Sequence, residues 1–378
     1  MAQRLYLHIG LPKSGSTFLQ SVIGGHRAAL KEHGYAYPYV QQEGMFHAAV
    51  EMAGNPEHWG LRREDVDGTF AAMLQRGRDL GRTVVISHEI FGAASPAQIE
   101  EIIAQVADFD LHLVVTVRNI GRMFTAQWQE AVKNGNAESF ADFAERQLAS
   151  LPAPGDRVMA GFWRGQNLAW LLDRWRPHVP PERTHVVVSP AGGADPEVLW
   201  RRFAEAIDFP ADAIDTSTVP GSNESLGTPQ IALLRQVVTS LDGRLEQPWY
   251  SQVAKRWFAQ TMLSKVRSSK PVTPGPVAEQ LAGVARTWIE LVESDGYRVH
   301  GDLAELLPAV PPETTPHPDD VTAEDQLAGL PDVLAAMLLR VRDDRQQIAE
   351  LKAATRELEA QVAELSRPRS LWSRVWQR

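Results

Sequence analysis

The chain reads as an α/β protein: a mainly parallel sheet with helices on both faces. Three observations predict it. Short β-branched or apolar runs alternate with helix-periodic segments through residue 207. A Gly/Ser-rich turn joins the first strand to the first helix. A hydrophobic content of 44% over 378 residues supplies one large core.

Residues 5–9 read as a short buried strand, and the helix after the turn places Phe18, Leu19, Val22 and Ile23 on its inner face. Residues 83–87 (Thr-Val-Val-Ile-Ser) form a second strand. Ser95-Pro96 then starts a helix whose apolar face is Ile99, Ile102, Ile103 and Val106. A third strand over 111–117 leads into an aromatic-rich helix over about 121–133. A fourth over 184–189 precedes a helix over 197–207. From 228 to about 292 the pattern is helical only, a flank on the same domain.

The α/β domain is expected to cover 1–306, with its helical flank at 228–306. Residues 307–322 are too rich in proline for a helix or central strand and read as a linker. In 323–366, Val341, Ile348, Leu351, Leu358, Val362 and Leu365 fall on alternating heptad positions, the pattern of a short coiled coil through which the chain would self-associate. A solvated amphipathic helix is the alternative, because Asp344 and Thr355 interrupt the seam. The last segment, 367–378, combines basic residues with two Trp and suits peripheral contact with an anionic membrane.

A net charge of -9 excludes a general nucleic-acid binder, so an anionic ligand must meet a local positive site. The absence of cysteine removes disulfide and thiol chemistry. No signal-peptide core or membrane-length apolar run is present, and a cytoplasmic location, with membrane association through the tail as an option, is the expectation.

The turn itself, Gly10-Leu-Pro-Lys-Ser-Gly-Ser-Thr17, carries the chemistry. Between a strand and a helix, its backbone N–H groups and the helix N-terminus make an anion site. Lys13 adds a positive charge, Gly15 a turn without a Cβ, and Ser14, Ser16 and Thr17 add hydroxyls. An ATP-binding loop needs Lys directly after its second glycine, where this chain has Ser16. With its lysine three places earlier, the loop resembles the 5′-phosphosulfate loop of sulfotransferases that use PAPS (3′-phosphoadenosine 5′-phosphosulfate). The third strand, ending Val-Thr-Val-Arg118, is similar to the family's strand whose arginine holds the donor's 3′-phosphate. A planar guanidinium suits that task. Where many relatives have Ser, this chain has Ala126, leaving Thr125 or Gln129 as substitutes. Residues 128–135, Phe162-Trp163 and 222–226 extend the likeness to about residue 240, toward a bacterial carbohydrate-type branch.

The resemblance implies a P-loop NTPase-like sulfotransferase fold. It also implies transfer of a sulfuryl group from PAPS to a hydroxyl of a small molecule, glycan or glycolipid, with PAP (adenosine 3′,5′-bisphosphate) as product and no metal. An acceptor hydroxyl must lose a proton, and His88-Glu89 closes the second strand at the same sheet edge. Glu89 is the favoured base and His88 the second candidate. His47, Trp128 and Lys133 are candidates to line the acceptor groove. Two other readings stay open: an ATP-dependent kinase, and a non-catalytic nucleotide-binding scaffold with a coiled-coil tail.

Overall fold

The structure, a computed structural model, describes residues 2–151, 159–219 and 225–366. Six strands form one sheet: β1 (Gln3–His8), β2 (Tyr35–Ala36), β3 (Thr83–Ser87), β4 (Phe109–Val117), β5 (Thr184–Val188) and β6 (Arg298–His300). Their order is β2-β3-β1-β4-β5-β6, and every neighbouring pair is parallel. The α/β reading therefore holds. The four strands read from the sequence are the four inner ones, because strands covered on both faces are written as continuous apolar runs. Leu5, Leu7, Val84, Val85, Leu113, Val114, Val186 and Val187 are all fully buried.

β1 lies between β3 and β4, pairing Leu5 with Val84 on one side and with Leu111 on the other. The chain leaves β1 for one half of the sheet and later returns to the opposite half. Such a reversal opens a crevice at the carboxyl end of the central strand. One face of the sheet is closed by the helices Ser16–Gly25 and Pro196–Ala206, whose Leu19, Val22, Ile23, Trp200 and Phe203 pack on Tyr6, Val114 and Val187. Ser95 caps the helix Pro96–Gln105 with Gln98 as reciprocal partner, as the Ser-Pro start implies.

Two parts of the sequence reading are corrected. The segment 228–306, read as helical only, holds the helices Thr228–Leu241 and Gly275–Asp295 and a π-helical stretch Tyr250–Met262, but it also supplies β6. Three residues on a sheet edge carry too little period-2 signal to be seen; β2, with two residues, escapes for the same reason. The stretch 307–322, read as a linker, lies almost wholly in the first compact unit, Met1–Val321. Asp319 accepts from the N–H groups of Phe140 (3.0 Å) and Ala141 (2.9 Å) at a helix start and pairs with Arg235 (2.9 Å). Proline excludes regular structure there without preventing docking.

The second unit, Thr322–Arg378, is described through Ser366. It holds one long helix, Leu330–Leu365, on which Val341, Ile348, Leu351, Leu358, Val362 and Leu365 are exposed. A coiled coil requires a second helix against them. The basic segment 367–378 lies outside the described residues.

β4, β5 and β6 each contribute one histidine to a buried row. His112 Nδ1 lies 3.1 Å from His185 Nε2, and His185 Nδ1 lies 3.1 Å from His300 Nε2. Asp110 and Glu205 stand at its ends, 3.4 Å and 3.5 Å away. Burial lowers all three pKa values, that of His185 to about 3, with the neighbouring imidazoles adding to the effect. The unfolded chain, titrating near 6.5, then binds more protons than the fold below that pH. Stability is full above about 6.5 and falls as pH drops toward the folded values, approaching ~1.4 kcal/mol per pH unit for each such histidine. Thermal unfolding followed from pH 7.5 to 4.5 should show the midpoint falling steadily, and His185→Gln should flatten that slope.

Candidate functional site

The turn after β1 sits at the crevice. Gly10 has φ 104° and Gly15 φ 100°, values open to glycine and strained for other residues. Gly10 also lies against Glu89: a Cβ there would be 3.1 Å from that residue's Cβ and 3.3 Å from its Cα. At Gly15 an added Cβ would sit 2.4 Å from a methyl of Leu199. Lys13 takes φ 63° without being glycine, so the turn is bent at three places in six residues. The result leaves the N–H groups of residues 15 to 18 without backbone partners among the described residues, while Leu19 N–H begins the helix by bonding Gly15 O. A row of unpaired N–H groups at a helix start is an anion cradle.

The turn rests on a buried polar chain. His8 Nδ1 is 2.7 Å from Ser87 Oγ, His8 Nε2 is 3.0 Å from Thr116 Oγ1, and Thr116 Oγ1 is 2.5 Å from Ser14 Oγ. Ser14 also donates to the carbonyl of Leu11, and Ser189 donates to that of Ser14. Burial lowers the His8 pKa to about 4, so the ring is neutral at pH 7. Ser14, expected to bind the donor, thus turns its hydroxyl beneath the loop. Ser16 is also buried, whereas Thr17 is exposed.

Lys13 Nζ pairs with Glu130 Oε2 at 2.8 Å. The same carboxylate meets Lys133 Nζ at 3.0 Å and Lys255 Nζ at 2.8 Å. Burial would raise the Glu130 pKa, but the three ammonium groups hold it far below the usual carboxylate range. Burial lowers the Lys133 pKa, with Glu130 acting against it. One carboxylate among three lysines leaves a net positive, partly buried cluster.

Arg118 follows β4 and donates to the carbonyl of Lys13 at 3.4 Å. Burial lowers its pKa to about 10, and the charge of Arg122 adds to this. Neither arginine pairs with a carboxylate among the described residues. Thr125, expected beside the donor, is buried, donating to Gly121 O (3.2 Å) and meeting Thr273 Oγ1 at 2.8 Å. Gln129 is likewise engaged with Leu226 O at 3.3 Å. Both substitutes for the missing serine are occupied in helix packing, and Arg122, one helical turn after Arg118, is the cation left beside the site.

Glu89 and His88 follow β3. His88 Nδ1 accepts from the Ile90 N–H at 3.2 Å, so the proton of the neutral ring sits on Nε2. Burial lowers the His88 pKa, with Glu89 opposing. Glu89 accepts from Gln20 Nε2 at 3.1 Å. Burial would raise its pKa, yet His88, the Glu89 N–H and Gln20 together lower it, and the carboxylate is ionised at neutral pH.

Of the three residues expected to line an acceptor groove, Trp128 is fully buried in the core, its ring edge-on to Phe140 and its indole donating to Glu138 O at 3.1 Å. The aromatic helix face that suggested a groove is a packing face. Lys133 is buried against Glu130, and His47 is held by Gln41 at 2.6 Å on the helix Gly44–Ala53. The sequence reading missed Glu130, Lys255, Arg122 and Gln20. Glu130 and Lys133 at i and i+3 on one helix were a visible pair; Lys255 is brought in from 125 residues further on.

No family model and no curated protein matches the chain. Among solved structures it is similar to a sulfotransferase from Alicyclobacillus acidocaldarius, with 16% identity over 65% of this chain and 93% of that one, at a TM-score of 0.38. Among the described residues no helix is long and apolar enough to cross a membrane.

Removing the carboxylate from the lysine cluster leaves like charges buried together, and losing one partner of a buried pair typically costs about 3–5 kcal/mol. Glu130→Gln should therefore lower the thermal midpoint at low salt, and added sulfate should recover part of the loss by replacing the missing counter-charge. A midpoint equal to that of the unsubstituted protein would show the cluster to be unimportant for the fold.

Proposed function

We propose that the chain is a sulfotransferase that moves the sulfuryl group of PAPS to an acceptor hydroxyl by in-line displacement. The observation that carries this reading is the 3.4 Å contact between the Arg118 guanidinium and the Lys13 carbonyl. With the lysine turn and the arginine after β4 side by side, one doubly phosphorylated nucleotide would meet both, and this supports the reading. The unpaired N–H groups of residues 15 to 18 would hold the 5′-phosphosulfate, and Arg118 with Arg122 the 3′-phosphate.

In the step proposed, the acceptor oxygen attacks sulfur, the bond from sulfur to the oxygen bridging it to the 5′-phosphate breaks, and PAP departs with that oxygen. Glu89 takes the hydroxyl proton. It is favoured over His88 because it is ionised and lies against Gly10, whereas the free lone pair of neutral His88 already accepts from Ile90. Lys13 neutralises charge building on the bridging oxygen, which requires its ammonium to leave or share Glu130. Lys133 and Lys255 remain as counter-ions to that carboxylate when it does.

The test is sulfate transfer from radiolabelled PAPS together with calorimetry of PAP. Wild-type protein should bind PAP more tightly than ATP with Mg²⁺. Lys13→Ala and Arg118→Ala should each lose most transfer, and Glu89→Gln should slow it by about 10² to 10⁴ while PAP still binds. Full activity in both cation variants, or preference for ATP, would overturn the assignment.

A further inference from the structure

Beside the proposed transfer site lies a cleft of about 440 Å³, within the range of small-molecule pockets. His88 forms part of its wall, and so does Gln20, whose amide donates to Glu89 at 3.1 Å. The cleft therefore meets His88 directly and Glu89 through Gln20, at the proposed proton-accepting end of the reaction. Phe46 packs on the His88 ring with centroids 5.6 Å apart, fixing that wall.

Its other wall is aromatic and cationic. Tyr37 and Tyr39 hold the Arg27 guanidinium, which lies 5.2 Å and 5.4 Å from their ring centres. One Arg27 nitrogen donates to the Gly24 carbonyl at 2.7 Å, leaving the rest of its fork open. Arg256 enters from the π-helical stretch. Neither guanidinium pairs with a carboxylate among the described residues, although the chain has more acids than bases. Arg62, Arg63, Arg78, Arg146, Arg176 and Arg201 each reach one within 3.3 Å. Glu43 is the one carboxylate in the lining, and the ionised Glu89 stands behind Gln20, at the end away from the tyrosine-held guanidinium.

Resting on the sulfotransferase reading, we infer that the acceptor is itself an anion: a ring that carries, besides the reacting hydroxyl, an acidic group bound by Arg27 and Arg256. The ring lies against Tyr37 and Tyr39, its hydroxyl directed to Glu89 and its acid to the guanidinium pair. Aromatic faces accept a flat or puckered ring, and a planar fork matches a carboxylate or sulfate.

Two sources supply this chemistry, an acidic sugar and an acidic phenol, and the test has an arm for each. Glucuronate is compared with glucose, and 4-hydroxybenzoate with 4-hydroxybenzyl alcohol, by saturation-transfer NMR and calorimetry on the full chain. At least one acidic member should bind about tenfold more tightly than its neutral partner, and the preferred pair identifies the source. Arg27→Ala should remove most of that preference and Arg27→Lys should keep part of it, with Arg256→Ala as an independent second variant. The thermal unfolding midpoint serves as the folding control. Equal binding of both members in both pairs, or a preference that survives Arg27→Ala and Arg256→Ala alike, would overturn the inference even where PAP binds. An acid preference lost in these variants without any PAP binding would instead leave the cleft assignment standing and remove the donor reading.

Discussion

The arrangement depends on a buried chain of hydroxyl and imidazole groups under the turn after β1. Ser87, His8, Thr116 and Ser14 come from β3, β1, β4 and the turn, and Ser189, just after β5, adds a fourth contact. Unpaired, each of these polar groups would be costly in the interior; joined, they fix the turn relative to four strand ends at once. A loop that presents N–H groups to an anion must not collapse onto its own carbonyls. Here the carbonyl of Leu11 is taken by the Ser14 hydroxyl and that of Ser14 by the Ser189 hydroxyl, so neither competes for the amides at the helix start.

The same division runs through the charges. The protein is acidic as a whole, yet Lys13, Lys133, Lys255, Arg118 and Arg122 converge near one strand end with Glu130 as their main counter-charge. A positive region inside a negative molecule comes from placement rather than composition. Burial sharpens it: Arg118 is charged at neutral pH although its surroundings disfavour that charge, so an incoming anion relieves a cost already present in the free protein.

Much of this was legible in the sequence because strong local patterns wrote it. The inner strands are continuous apolar runs, and the turn between β1 and its helix announces an anion site through Gly10, Lys13 and Gly15. The parts that escaped are those set by long-range packing. Whether Trp128 faces a groove or the core is a question of which side of its helix the neighbours cover, and Phe140 decides it. Thr125 carries a suitable hydroxyl, but Thr273, 148 residues away, already occupies it. Two-residue and three-residue edge strands have no periodicity to read, and Asp319 sits in a stretch whose prolines speak only of irregularity.

That last stretch ties the end of the first unit to its working edge. Asn119, the residue after Arg118, donates to the carbonyl of Leu307, and Asp319 holds the start of the helix Phe140–Leu148, which packs beside the helix carrying Glu130. A shortened protein cut at Pro308, the first proline of the run, would lose the Asp319 clamp and leave Leu307, the partner of Asn119, as its last residue. The natural place to divide the polypeptide, for expression or for fusion, is after Val321.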